Sequence, residues 1–128
     1  MRKTKIQIIE ETVEYYSADT SRRGVFGSNC VYYAPRLNDE VMCAVGRCIK
    51  EPKKLHGVFA SITRLAEKVN EESLDNLLKE EYRGHSKDFW QDLQGFHDTR
   101  ENWNEHIGLT EEGETNLKLL LTEYENEN

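Results

Sequence analysis

The chain has 128 residues, 37% hydrophobic and 32% charged, with a formal net charge of −7. That length predicts one domain, able to bury a core without disulfide or metal staples. No apolar run approaches a membrane span, residues 117–121 being the longest step towards one, so no membrane association is expected. The basic opening Met1-Arg2-Lys3-Thr4-Lys5 runs into Glu10 and Glu11, which interrupt any signal-peptide core. Three cysteines are an odd number for a fully paired secreted framework. A cytoplasmic protein with reduced thiols is the expectation.

Charge is uneven along the chain. Residues 1–64 carry 11 Lys and Arg against 7 Asp and Glu, whereas residues 65–128 carry 6 against 17. An acidic second half cannot wrap a phosphate backbone, so no direct contact with nucleic acid is expected. It suits a basic groove on another protein instead.

In chain order, Ile6, Ile9, Val13 and Tyr16 recur at helical spacing and predict a helix over 4–17. Residues 17–29, with two glycines and small polar residues, read as a loop. Its Arg22 and Arg23 beside glycine-rich backbone are candidate anion-binding residues. A β-hairpin over 30–46 follows. Residues 30–33 form its first arm, 35–39 supply turn chemistry, and 40–45 return with Val41, Cys43 and Val45 on one side. Gly46 then allows a sharp change of direction.

Residues 57–124 read as a helical half. Val58, Phe59, Ile62, Leu65, Ala66 and Val69 share one face, and a second helix over 73–82 is capped by Ser73. Ser86 caps a third, carrying Phe89, Trp90, Leu93, Phe96 and His97, and Thr110 caps a last one with Glu111, Glu112 and Glu114 in its first turns. Trp90 is expected in the core. Trp103, in the break between helices, is expected to be partly exposed. The fold class is therefore α+β: a mostly α-helical single domain, 1–128, with one hairpin after the first helix. The hairpin's partner across the core is expected to be the helix that bears Phe89, Leu93 and His97.

Two blocks carry a family resemblance. One is Cys30-x-Tyr32, a turn, then Cys43-Ala44-Val45-Gly46. The other runs from Leu78 through Glu81-Tyr82-Arg83-Gly84 to Phe89-Trp90-x-x-Leu93-Gln94-x-x-His97-Asp98, Trp103 and Gly108-Leu109-Thr110-x-x-Gly113. Over roughly residues 30–121 the chain resembles a broad family of small phage and bacterial proteins of unassigned activity. The resemblance implies a phage or prophage setting rather than a particular chemistry. The turn here lacks the family's glycine, and Cys48 is an additional thiol.

The sequence offers three chemical arrangements. Cys43, His97 and Asp98 supply the residue types of a thiol nucleophile, its base and an orienting acid. Asp98, however, follows His97 directly and on a helix should point about 100° away from it. Cys43 and His97 both fall on apolar stripes, where packed side chains are the ordinary outcome. Cys30, Cys43, Cys48 and His56 are candidate zinc ligands, but C-x12-C-x4-C-x7-H lacks the tight knuckle of a finger. A cross-strand Cys30–Cys43 disulfide is allowed by hairpin geometry and opposed by a reducing cytoplasm.

No catalytic or cofactor motif is recognisable, and no cofactor is expected. The leading expectation is a non-enzymatic phage-type protein of the host cytoplasm. It would inhibit a host defence or nucleic-acid enzyme by docking Glu80, Glu81, Asp88, Asp92 and Glu101 into that protein's basic groove. The alternatives are a small-ligand or Cys/His-dependent enzyme site at the hairpin, and a structural zinc module.

Overall fold

Helix α1, Lys5–Ala18, starts where a capping box satisfies its first backbone donors. Thr4 Oγ1 accepts from the Gln7 N–H at 3.1 Å, and Gln7 Oε1 accepts from the Thr4 N–H at 2.8 Å. Ile8, Ile9, Thr12 and Tyr16 form its buried face. The structure is a computed structural model; it describes residues 2–26 and 29–127, and of Phe26, Asn29 and Cys30 the backbone only.

After α1 the chain makes a 3-10 turn, Thr20–Arg22, and then two short antiparallel ladders. In the first, β1 (Val25–Phe26) pairs with β2 (Asn29–Cys30). In the second, β3 (Ala34–Pro35) pairs with β4 (Glu40–Val41) in the register Ala34 to Val41. Arg36 closes the second turn by donating from two nitrogens to the Asp39 carboxylate, at 2.7 and 2.8 Å.

The expected return strand over 40–45 stops at Val41. Beyond it, Cys43, Ala44, Val45, Gly46 and Cys48 are all buried, so no solvent face remains for strand alternation. Backbone pairing there is irregular, with the Cys43 N–H donating to the Val31 carbonyl at 2.9 Å and the Gly24 N–H to the Met42 carbonyl at 3.1 Å, and side chains from α1 and from the helix over 87–98 supply the rest. Tyr16 Oη donates to the Met42 carbonyl at 2.5 Å, and the Val45 N–H donates to Gln94 Oε1 at 3.0 Å. The chain then coils into a 3-10 turn, Gly46–Cys48.

Helix α2 is Ile62–Lys68, shorter than its apolar periodicity predicts. Residues 58–61 are not helical, and Phe59 is 67% exposed. Tyr32 Oη donates to the Ala60 carbonyl at 2.6 Å and fixes this lead-in outside the helix. The helix expected over 73–82 is split into α3 (Leu74–Leu77) and a 3-10 turn, Glu80–Tyr82. Between them Leu78 forms a backbone bridge to Ile49: the Lys50 N–H donates to the Leu77 carbonyl and the Lys79 N–H to the Cys48 carbonyl.

Helix α4, Lys87–Asp98, is capped by Ser86, and α5, Glu111–Tyr124, by Thr110, as their sequences predict. Phe89, Trp90, Leu93, Phe96 and His97 line the buried side of α4. Trp103 is buried rather than partly exposed; its indole N–H donates to the His97 carbonyl at 3.1 Å. The α+β, mostly helical reading stands. One hydrophobic cluster draws on α1, the 43–49 run and every later helix, with α4 packed against 43–49 as expected. Among the described residues no helix is long and apolar enough to cross a membrane.

Candidate functional site

The motif residues Gln94, His97 and Asp98 meet on α4. His97 Nδ1 lies 2.7 Å from Asp98 Oδ1, and Gln94 Nε2 donates to the same oxygen at 2.8 Å. The expectation that Asp98 points away from His97 is therefore wrong. Nδ1 sits beside the ring's attachment carbon, close to the backbone, where the next side chain along the helix reaches it. Burial lowers the His97 pKa and its hydrogen bond to Asp98 opposes this, leaving it below its ordinary value. A neutral ring whose Nδ1–H donates to Asp98 satisfies this network.

The bonds around His97 form a joint between α4 and the Cys43–Gly46 run. Among the described residues the buried His97 Nε2 has no hydrogen-bond partner, and Nδ1 serves Asp98, so neither nitrogen holds the Cys43 thiol. Cys43 Sγ instead accepts from the Gly46 N–H at 3.4 Å. His97 also stands edge-on to Tyr16, with ring centroids 4.6 Å apart. With Gln94 holding the Val45 N–H, the cluster fastens the Cys-Ala-Val-Gly run to α4. Thiol labelling checks this. Burial pushes the Cys48 pKa up to about 12, and Cys43 is equally buried. Native protein at about pH 8 should label at Cys43 and Cys48 only as fast as it unfolds, read site by site by peptide mass spectrometry. Rapid labelling of Cys43 in the folded state would restore it as a nucleophile.

Of the zinc candidates, the Cys30 side chain lies outside the described residues, and so does the Cys30–Cys43 disulfide question. Cys43 and Cys48 are buried, and His56 is exposed, edge-on to Tyr33 at 6.0 Å. Among the described residues no group of three or more His, Cys, Asp or Glu is placed to hold a metal.

A second polar network was missed by the sequence reading. Glu11 of α1 accepts from Arg47 Nη1 at 2.7 Å, from Lys3 Nζ and from Tyr82 Oη. Burial alone would raise the Glu11 pKa, but the hydrogen bonds from Lys3, Tyr82 and Arg47 outweigh it and hold it at about 2. The one available signal was Arg47 itself: a cation between Gly46 and Cys48, inside a run otherwise fit for burial, requires a partner.

The five acidic candidates are all exposed, but they do not share one face. Glu81 faces Lys3 at 3.5 Å. Glu101 lines a cleft beside Arg23 and Arg100. Asp88 and Asp92 stand one turn apart on α4, and Asp92 accepts from Tyr124 Oη of α5 at 2.5 Å. Asp92 also meets Glu123, whose pKa is raised first by its hydrogen bond with Asp92. The acidic focus is thus the α4–α5 face: Asp88, Asp92 and Glu123.

Arg22 and Arg23 diverge. Arg22 Nη1 donates to the Tyr15 carbonyl at 3.0 Å and its guanidinium lies 4.6 Å over the Tyr15 ring. Arg23 turns the other way, towards the C-terminal end of α4, where Nε donates to the His97 carbonyl at 2.9 Å. No known protein family, curated protein or solved structure matches this chain.

Proposed function

We propose that this protein is a non-catalytic binding protein that docks its acidic α4–α5 face onto a basic surface of another protein. The observation that carries this reading is the crowding of Asp92 and Glu123. The two carboxylates line one shallow groove on that face, and among the described residues no cation lies within ion-pair distance of either. Like charges placed together destabilise the free protein, and an incoming Lys or Arg relieves the repulsion. Asp88, one helical turn away, extends the same sign of charge along α4. The finer reading, inhibition of a host defence or nucleic-acid enzyme in the cytoplasm of a phage host, draws its support from the motif resemblance. It also draws on the fit between an acidic face and a basic nucleic-acid groove.

Affinity capture from host extract tests the reading with a matched pair of variants. Asp88→Lys with Glu123→Lys should weaken capture of the partner more than about tenfold at physiological salt. Glu80→Lys with Glu81→Lys, off that face, should leave it within about twofold. Equal retention by both variants rules out docking through α4 and α5.

A further inference from the structure

The half-buried guanidinium of Arg23 opens onto a cleft. The segment carrying it is tied to the loop after α4: the Thr20 N–H donates to the His106 carbonyl at 2.9 Å, and Thr20 Oγ1 to the Glu105 carbonyl at 2.7 Å. This fixes Arg23 over the Trp103 ring, 5.8 Å from its centroid, with Nε on the His97 carbonyl. Its two terminal nitrogens have no hydrogen-bond acceptor and no carboxylate within 4 Å among the described residues. Burial and then the nearby Arg100 hold the Arg23 pKa down, while Asp98 and Glu101 recover only part of that shift.

Arg100 is the second cation at this place. It lies in the 3-10 turn Arg100–Asn102, is exposed, and its side chain makes no described ion pair. Both arginines line a cleft of about 530 Å³, together with Trp103, Asn104, Glu101 and Glu105. That volume is in the range of small-molecule sites. Two unpartnered cations converging on one cavity, in a chain of net charge −7, mark a place for a carboxylate or phosphate. The two glutamates choose between these. A dianion would meet two like charges, whereas a carboxylate that also carries an ammonium group meets both signs in kind.

We propose that the cleft between the Thr20–Arg23 segment and residues 100–105 binds a small zwitterion of the amino-acid or short-peptide class. The carboxylate sits between Arg23 and Arg100, and the ammonium faces Glu101 and Glu105. The site lies away from the acidic α4–α5 face and stands or falls independently of docking there.

NMR titration of the whole protein with triglycine tests the proposal, using inorganic phosphate, triglycine amide and N-acetyltriglycine as comparators. Triglycine should shift the Trp103 indole N–H and the Arg23 and Arg100 signals with saturation. The amide, lacking the carboxylate, should not bind, and the acetylated peptide should bind several-fold more weakly. Arg100→Gln should weaken triglycine about tenfold and leave the melting temperature unchanged, since the Arg100 side chain makes no described bond. Arg23→Lys, which keeps the charge but loses the planar fork, should weaken it by a similar factor. Tighter binding of phosphate than of triglycine, equal binding of the acetylated peptide, or no saturable shift with triglycine would each overturn the proposal.

Discussion

Replacing Gly46 by alanine should destabilise the fold by about 3 kcal/mol or more, lowering the melting temperature by roughly 10 °C. A Cβ built at Gly46 falls 2.0 Å from the Tyr32 carbonyl oxygen, 2.9 Å from its carbon and 3.1 Å from its Cα. All three are backbone atoms, so no rotamer change relieves the overlap. Neither side can retreat freely. Tyr32 is buried and tied through its hydroxyl to the Ala60 carbonyl. Gly46 sits between Val45, held by Gln94, and the Ile49 N–H, which donates to its carbonyl. Gly95 provides the opposite case within the same molecule. It lies inside α4, and a Cβ there meets nothing within 4 Å. Gly95→Ala should therefore stabilise by about 0.5–1 kcal/mol through the helix preference of alanine. Urea unfolding of the two variants beside the parent separates the effects. A Gly46→Ala protein within about 1 kcal/mol of the parent would mean that this crossing yields more readily than its geometry implies.

The contrast between these glycines also shows where the sequence is readable. Capping is local chemistry, so Ser73, Ser86 and Thr110 marked their helix starts correctly: each side chain accepts from the backbone N–H three residues on. Gly46 looked like a change of direction, but its constraint is the approach of Tyr32, fourteen positions earlier, and nothing nearby in sequence reports that contact. The return strand failed for the same reason. Its Met42 carbonyl and Val45 N–H are met by Tyr16 and Gln94, respectively 26 and 49 residues from their partners. Helical periodicity around residues 57–82 reported burial at Ile62, Leu65, Leu74 and Leu78 but not at Phe59, and it was misleading as structure, because Ala60 and Leu78 are claimed by Tyr32 and Ile49. In the sites, exposure of the acidic residues was legible and their grouping was not. Arg22 and Arg23 were adjacent letters with the same charge, yet one stacks on Tyr15 and the other crosses to the end of α4.

The Glu11 network should show the second large effect. Glu11→Gln leaves Arg47 buried with its main counter-charge removed, and Arg47 Nε is already without a partner. Lys3 and Tyr82 lose the same acceptor. Breaking a fully buried ion pair costs roughly 3–5 kcal/mol; the Glu11 side chain keeps 28% of its surface exposed, so about 2–3 kcal/mol is expected here. The pH dependence follows from the direction of the shift. Glu11 titrates near 2 in the folded protein against an ordinary 4.5. Its stabilising contribution is complete above about pH 4.5, declines as the pH falls towards 2, and is gone below that. The stability gap between parent and Glu11→Gln should therefore be widest at neutral pH and close through that window. Adding Arg47→Met to Glu11→Gln should recover part of the loss, because the double variant no longer buries an unpaired charge. Urea midpoints at pH 7, 4 and 2.5 measure all three proteins. A gap that stays constant down to pH 2.5 would show that Glu11 holds Arg47 by packing and not by charge.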